Sequence, residues 1–164
     1  MKILKRIKLM YLSILILTLL QGCKKEKEEY LFSHKTTNTY YKIVYENDTI
    51  LYITISKNNK KKEIDTTLLY KKSNKYYHYK NDLFSDFDER IWLSTKKDTF
   101  YNYNIRNSFY CRISKIGENK FRTTYANYDS LTYKYRHSIY YDNNYNIYKI
   151  ETVNNKVKSV FTKQ

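Results

Sequence analysis

The chain has 164 residues but only two glycines, Gly22 and Gly117, and no proline. Glycine lets a backbone turn sharply or approach a ligand closely, and phosphate-binding loops, dinucleotide-binding fingerprints and nucleophile elbows all require it. Those motifs are excluded, as are collagen-like chains and disordered chains rich in glycine and proline. Aromatic residues make up 18% of the sequence, far more than disordered chains carry, so we expect one folded domain.

Short breaks rich in Asn, Asp and Lys divide the chain after residue 38 into runs of β-branched and aromatic residues. Asn and Asp tolerate the left-handed backbone conformation of tight hairpin turns, so they can replace glycine there. The breaks recur roughly every 8 to 14 residues without helical periodicity between them, which predicts an all-β antiparallel meander of about ten strands. Because the connections are short, we expect an up-and-down barrel or a curled open sheet. The predicted turns are Asn47-Asp48, Lys57 to Lys60, Ser73-Asn74, Lys96 to Asp98, Gly117 to Asn119, Asp129-Ser130, Asp142 to Asn144 and Asn154-Asn155.

The clearest predicted strand is Leu131 to Tyr141, where apolar and polar residues alternate with a period of two. Its apolar face comprises Leu131, Tyr133, Tyr135, His137, Ile139 and Tyr141. The overlapping segment from Tyr140 to Ile150 resembles the hairpin units of YD-repeat bacterial surface proteins. Tyr145 stands where those repeats carry glycine, and the resemblance implies a hairpin at this position.

The first 22 residues have the order of an export signal. Four basic residues, Lys2, Lys5, Arg6 and Lys8, precede an uncharged stretch from Leu9 to Gly22 that is rich in Leu and Ile. Fourteen helical residues rise about 21 Å, less than the roughly 30 Å hydrocarbon core of a bilayer. The stretch therefore favours a signal segment over a permanent span.

Leu20-Gln21-Gly22-Cys23 resembles the lipobox of bacterial lipoproteins. In that family a diacylglyceryl group is added to the cysteine thiol, the lipoprotein signal peptidase cuts just before the cysteine, and its amine receives a further acyl chain. The resemblance implies that residues 1–22 are removed after Gly22 and that Cys23 attaches the protein to a membrane, which it does not span. The alternatives are a conventional signal peptide ahead of an ordinary Cys23 thiol, or an uncleaved anchor.

The charged run from Lys24 to Glu29 follows the cysteine and has no apolar face, so it predicts a solvated tether. We assign residues 23–37 to the lipidated cysteine and tether and residues 38–164 to a single all-β domain. A lysine followed by acidic residues, with no aspartate at position 24, resembles the sorting and surface-export signals of small Bacteroidota lipoproteins. That resemblance implies the outer membrane of the cell envelope, with outward display as a further expectation.

The net charge of +15 falls to +11 when residues 1–22 are removed, because 27 basic residues then face 16 acidic ones. Such an excess attracts polyanions at long range. Lysine greatly outnumbers arginine, however, whereas specific phosphate recognition usually uses arginine. A composition dominated by Lys, Asn, Tyr and Ile is typical of an AT-rich coding sequence. We therefore expect no nucleic-acid partner.

Few residues are candidates for chemistry. With Cys23 lipidated, Cys111 has no partner for a disulfide, and it shares a predicted strand face with Phe109 and Ile113, so we expect a buried and inert thiol. The histidines His34, His78 and His137 lack metal-ligand spacing, and we expect each to be a hydrogen-bonded core or rim side chain.

The segment from Asp82 to Glu89 concentrates acidic residues in a basic chain. Asp86, Asp88 and Glu89 are weak candidates for binding Ca²⁺ or for supplying paired carboxylates to a hydrolase. The segment lacks the spacing and central glycine of an EF-hand loop, which favours a solvated connection. We therefore expect no metal, and no cofactor other than the diacylglycerol and N-acyl lipid on Cys23.

Tyrosine is the most over-represented residue, with 21 copies. Tyr101, Tyr103, Tyr133 and Tyr135 are candidates for ligand contact if they line the inside of a barrel, and ordinary core packing is the alternative. No catalytic constellation is visible. The sequence therefore predicts a non-catalytic envelope lipoprotein that binds a ligand or a protein partner. The alternative is a membrane-tethered immunity or inhibitor protein that neutralises a toxin or enzyme.

Overall fold

The computed structural model describes residues 27–164 except 59–60, 80–88, 97–98, 103–108 and 130–131. All regular secondary structure in these described ranges is strand, so the predicted all-β class is confirmed, with twelve strands where about ten were expected. In chain order they are β1 Glu28–Ser33, β2 Thr39–Glu46, β3 Thr49–Asn58, β4 Lys61–Lys72, β5 Lys75–Tyr79, β6 Glu89–Ser94, β7 Thr99–Asn102, β8 Phe109–Gly117, β9 Lys120–Asp129, β10 Thr132–Asp142, β11 Ile147–Asn154 and β12 Val157–Lys163. Within these ranges no helix is long and apolar enough to cross a bilayer.

The strands form one antiparallel sheet that curls into a nearly closed barrel. The order across the sheet is β6-β5-β4-β3-β2-β1-β12-β11-β10-β9-β8-β7. The first and last strands pair with each other through Phe32 opposite Lys163 and Ser33 opposite Thr162. The two edges of the sheet are thus β6 and β7, which are consecutive in the chain, and the seam of the barrel lies between them. The predicted meander is confirmed.

Strand β1 lies inside the stretch 23–37 for which the sequence predicted a tether. Its inward-facing Phe32 is fully buried, and the acidic residues at its start are accommodated at the surface. Glu29 forms a 2.6 Å ion pair with Lys42 on the neighbouring strand. The charged run concealed this strand because charges on the outer, solvent-facing side of a sheet resemble those of a solvated linker.

Asparagine supplies most of the left-handed residues in the described tight turns, as predicted, but Ser73 and Lys156 are also left-handed and the predicted contribution of aspartate is not seen. Among the described residues no glycine has a positive φ, and no aspartate does either. In the turns at 73–74 and 155–156 both central residues are left-handed, as in two-residue type I′ hairpins. The left-handed turn residues are Asn47, Ser73, Asn74, Asn119, Asn155 and Lys156, with φ between 45° and 72°.

Tyr145 is also left-handed, with φ of 67°, at the position where the YD-repeat hairpin carries glycine. Its backbone N–H donates to the Asp142 carbonyl at 3.0 Å, and its hydroxyl donates to the Asn74 carbonyl on another turn. The Asp142 carboxylate accepts the backbone N–H groups of Asn144 and Asn146. These hydrogen bonds hold a bulky residue in a conformation that it otherwise avoids.

The inward faces of the strands meet in one core that is rich in aromatic rings. The predicted apolar face of β10 is confirmed at His137, Ile139 and Tyr141, which are all buried. A β-bulge between Tyr133 and Tyr135 interrupts the expected continuous alternation. The buried core consists of Phe32, Tyr41, Ile43, Ile50, Tyr52, Leu69, Tyr76, Leu93, Cys111, Ile113, Phe121, Tyr125, Ile139, Tyr141, Tyr145, Ile147, Ile150 and Phe161.

Tyrosine side chains from β9 and β10, on the other side of the seam, form hydrogen bonds to the backbone of the edge strand β6. The Tyr141 hydroxyl accepts the Ser94 N–H at 3.0 Å and donates to the Ser94 carbonyl at 2.9 Å. Two residues earlier in β6, the Trp92 carbonyl accepts the Tyr125 hydroxyl at 3.0 Å. An edge strand otherwise leaves such backbone groups without partners. The barrel is therefore closed on this side by tyrosine hydroxyls.

Candidate functional site

The inner face of the barrel lines a cavity of about 310 Å³ that is open to solvent on one side. Strands β2, β3, β4, β6, β9 and β10 contribute to its wall because their inward faces converge there. This volume is at the lower end of the range of about 300 to 1,000 Å³ typical of small-molecule sites. The described lining residues are Tyr41, Tyr52, Thr54, Asp65, Thr67, Trp92, Tyr125, Tyr135 and His137.

A hydrogen bond between the Tyr52 hydroxyl and Nε2 of His137, 2.8 Å long, crosses the barrel interior. The two residues are 85 positions apart, on strands β3 and β10, which are not neighbours in the sheet. Burial lowers the pKa of His137 to about 4 and raises the pKa of Tyr52 well above its ordinary value. The pair is therefore neutral at physiological pH, and it fixes the distance between two walls of the cavity.

Aromatic rings form most of the cavity wall. The rings of Trp92 and Tyr125 lie 4.5 Å apart, and Trp92 also contacts Tyr52 with ring centroids 6.3 Å apart. On the other side Tyr41 packs against both Tyr52 and His137, each at 5.5 Å. These contacts hold the rings in place without any bound molecule.

The polar groups of the wall are concentrated on the β3–β4 hairpin. Thr54 pairs with Asp65, and Tyr52 pairs with Thr67, so these side chains share the inward face of the hairpin. Asp65 is solvent-exposed, which places its carboxylate where the cavity meets solvent. It is also the one formally charged side chain among the nine described lining residues, since His137 is neutral.

Of the four tyrosines predicted to contact a ligand, the described residues place one, Tyr135, on the cavity wall. Tyr135 lines the cavity and its hydroxyl lies 3.4 Å from Nδ1 of His137. Tyr101 and Tyr133 lie in β7 and β10, but their side chains, and all of Tyr103, fall outside the described residues. The alternation of side chains along β2 and β3 could have added Tyr41 and Tyr52 to the predicted cavity residues. The turn at residues 47–48 sets the pairing of the two strands, and this pairing puts both tyrosines on the same face of the sheet.

The candidates for lipidation, signal cleavage and metal binding lie wholly or partly outside the described residues. Gly22, Cys23, Asp86 and Asp88 lie outside the described residues, as does the side chain of Glu89, the first residue of β6. Within the described ranges no three His, Cys, Asp or Glu residues are grouped as a metal site would require.

The structure also describes the side chains of Cys111, His34 and His78, for which the sequence predicted core or rim positions. Cys111 is fully buried, as predicted, and its burial raises the thiol pKa to about 12, so the thiol is unreactive. The His34 and His78 rings pack against Phe161 and Trp92, respectively.

A second depression, of about 320 Å³, lies among the turns near Tyr145. Its wall consists mainly of exposed polar residues of hairpin loops, including Asn74, Asn143 and Asn144. Small-molecule sites are more often apolar clefts with a few oriented polar groups. The aromatic cavity fits that description, and the depression at the turns does not.

The chain matches no known protein family, no curated protein and no solved structure. The cavity and the sequence signals at the N-terminus are therefore the observations from which a function can be proposed.

Proposed function

We propose that this protein is a lipid-anchored, non-catalytic component of the bacterial cell envelope whose barrel binds a small ligand in the aromatic cavity. The observation that carries the proposal is an interior space of about 310 Å³ in which five aromatic rings converge with a few polar groups. Sites of this composition bind small molecules through apolar contact and use the polar groups for orientation. The lipobox resemblance at Cys23 supports the location.

The hydrogen bonds inside the barrel support a binding role because they order the wall in advance. Tyr52 is bonded to His137, and Tyr125 is bonded to the Trp92 carbonyl. A ligand that enters an ordered site does not have to immobilise those side chains, each of which would otherwise cost about 0.5 to 1.5 kcal/mol of affinity.

The lipid anchor is tested by a Cys23→Ser variant expressed in cells fed radiolabelled palmitate. We expect the label to be lost entirely and the protein to keep its uncut precursor mass, because serine has no thiol to alkylate. Cys111→Ser is the matched control and should label like the natural protein, since Cys111 is fully buried. A labelled Cys23→Ser protein would contradict the assignment of the anchor.

The ligand site is tested by filling the cavity. Thr67 lines the cavity, whereas the adjacent Thr66 is exposed, so Thr67→Phe and Thr66→Phe form a matched pair. Each protein is captured from detergent-solubilised envelopes, and the small molecules that it retains are identified by mass spectrometry. We expect the natural protein and Thr66→Phe to retain the same compound and Thr67→Phe to lose at least about 90% of it, because a phenyl ring occupies much of the space.

The same capture separates the proposal from its main alternative. If all three proteins retain one tightly held protein and no small molecule, an immunity or inhibitor function is favoured. Equal retention of a compound by Thr67→Phe and the natural protein would contradict the cavity as the binding site.

A further inference from the structure

We propose that the cavity selects an organic cation, a substituted ammonium group held against the aromatic rings and paired with the Asp65 carboxylate. The inference rests on the proposed function, because it specifies the chemical class of the ligand in the same cavity. Three observations lead to it. The described wall carries a negative formal charge and no positive one, most of its tyrosine hydroxyls are hydrogen-bonded within the protein, and five Trp and Tyr rings line it.

The charge at the cavity is opposite to the charge of the protein. The chain carries 31 basic residues and a net charge of +15, yet none of the nine described lining residues is Lys or Arg. The formal charge among those nine belongs to Asp65 and is negative. His137 adds no positive charge, since its imidazole is buried and neutral and its Nε2 bonds to Tyr52. A cation is therefore attracted locally, while an anion finds no basic partner on the described wall.

The hydroxyl groups that a sugar would need are largely engaged within the protein. The Tyr125 hydroxyl donates to the Trp92 carbonyl, and those of Tyr52 and Tyr135 contact the two nitrogens of His137. A polyhydroxylated ligand buried here would leave many of its own donors and acceptors without partners, which is costly. The other hydroxyls of the described wall, on Tyr41, Thr54 and Thr67, are too few to compensate.

The ring faces suit a cation. Trp92 and four tyrosines line the cavity, and the electron-rich faces of Trp and Tyr attract ammonium groups that lie within about 6 Å of the ring centre. Cages of several aromatic rings recognise substituted ammonium groups in this way. A carboxylate at the mouth supplies the countercharge, and Asp65 occupies that position.

The test uses the full processed lipoprotein in a polyoxyethylene detergent, whose head group is neither a sugar nor an ammonium ion. Choline is the probe, and 3,3-dimethylbutan-1-ol is its uncharged isostere. Trp92 is the sole tryptophan of the chain and lies in the cavity wall, so its fluorescence reports binding. We expect choline to change the Trp92 emission saturably and to bind at least about tenfold more tightly than the isostere.

Asp65→Asn tests the countercharge. The side chain is exposed and the change preserves its size, so the fold should be unaffected. We expect choline affinity to fall about twofold to fivefold, whereas the control Glu63→Gln, an exposed residue of the same strand, should leave it unchanged.

Each outcome has a defined meaning. Equal binding of choline and its isostere, or choline binding unaffected by Asp65→Asn, would overturn the selection of a cation while leaving the cavity a ligand site. No binding of either probe would also overturn the cation inference. In that case retention of a compound by the natural protein and its loss from Thr67→Phe would still support the proposed function, and the absence of any retained compound would count against both.

Discussion

Replacing Tyr141 with phenylalanine is expected to lower the free energy of unfolding by about 2 to 4 kcal/mol. The hydroxyl of Tyr141 bonds to both the N–H and the carbonyl of Ser94, and Ser94 is only 1% exposed. Removing the oxygen leaves two buried backbone groups without these partners, and each such group costs roughly 1 to 3 kcal/mol. The hydroxyl also contacts the Thr123 hydroxyl at 3.0 Å. Urea denaturation followed by circular dichroism measures the change.

Tyr148→Phe is the matched control for this experiment. It also removes a tyrosine hydroxyl, but Tyr148 is 38% exposed, so water can replace any hydrogen bond that this hydroxyl makes. We expect its effect to stay within about 0.5 kcal/mol. Equal stability of the two variants would contradict the claim that the Tyr141 hydroxyl stabilises the edge strand β6.

Acidification from pH 7 to pH 4 is expected to lower the free energy of unfolding by about 3 kcal/mol through His137 alone. Burial lowers its pKa to about 4 in the folded protein, whereas an unfolded histidine titrates near 6.5. Between these values the unfolded chain binds a proton that the folded chain does not, so stability falls as the pH falls. The slope approaches about 1.4 kcal/mol per pH unit.

The groups that face His137 do not offset this effect. Tyr41, Tyr52 and Tyr135 have pKa values raised by burial, so they remain neutral throughout the range. Urea denaturation at pH 7, 6, 5 and 4 measures the slope. We expect His137→Gln to flatten it, and His34→Gln, a change at a residue near the surface, to retain it. An unchanged slope in His137→Gln would contradict a buried, neutral histidine.

Local patterns were sufficient to predict much of the fold. Turns at Asn47, Asn74, Asn119 and Asn155 follow from the left-handed preference of asparagine in a chain without spare glycine. The buried face of β10 follows from its period of two. These features depend only on residues close to one another in the chain, so they can be predicted from one sequence.

Features that depend on distant strands were not predicted. Strand β1 is stabilised by pairing with β12 at the other end of the chain, and its own charges conceal it. The bond between Tyr52 and His137 depends on how the sheet curls. Trp92 lines the cavity although its neighbour Leu93 is buried in the core, because the register between β5 and β6 shifts at Tyr76 and Tyr77. Simple alternation would have placed these two neighbours on opposite faces.

The central claim, that the cavity is a ligand site, is tested most directly by the indole N–H signal of Trp92 in an ¹⁵N NMR spectrum. The chain has one tryptophan, so the signal is unambiguous. The full processed protein is titrated with a small-molecule extract of envelopes from the cells that produce it. We predict a saturable shift in the natural protein and in Thr66→Phe, and none in Thr67→Phe. A signal that does not move in the natural protein, or that moves equally in Thr67→Phe, would contradict the claim.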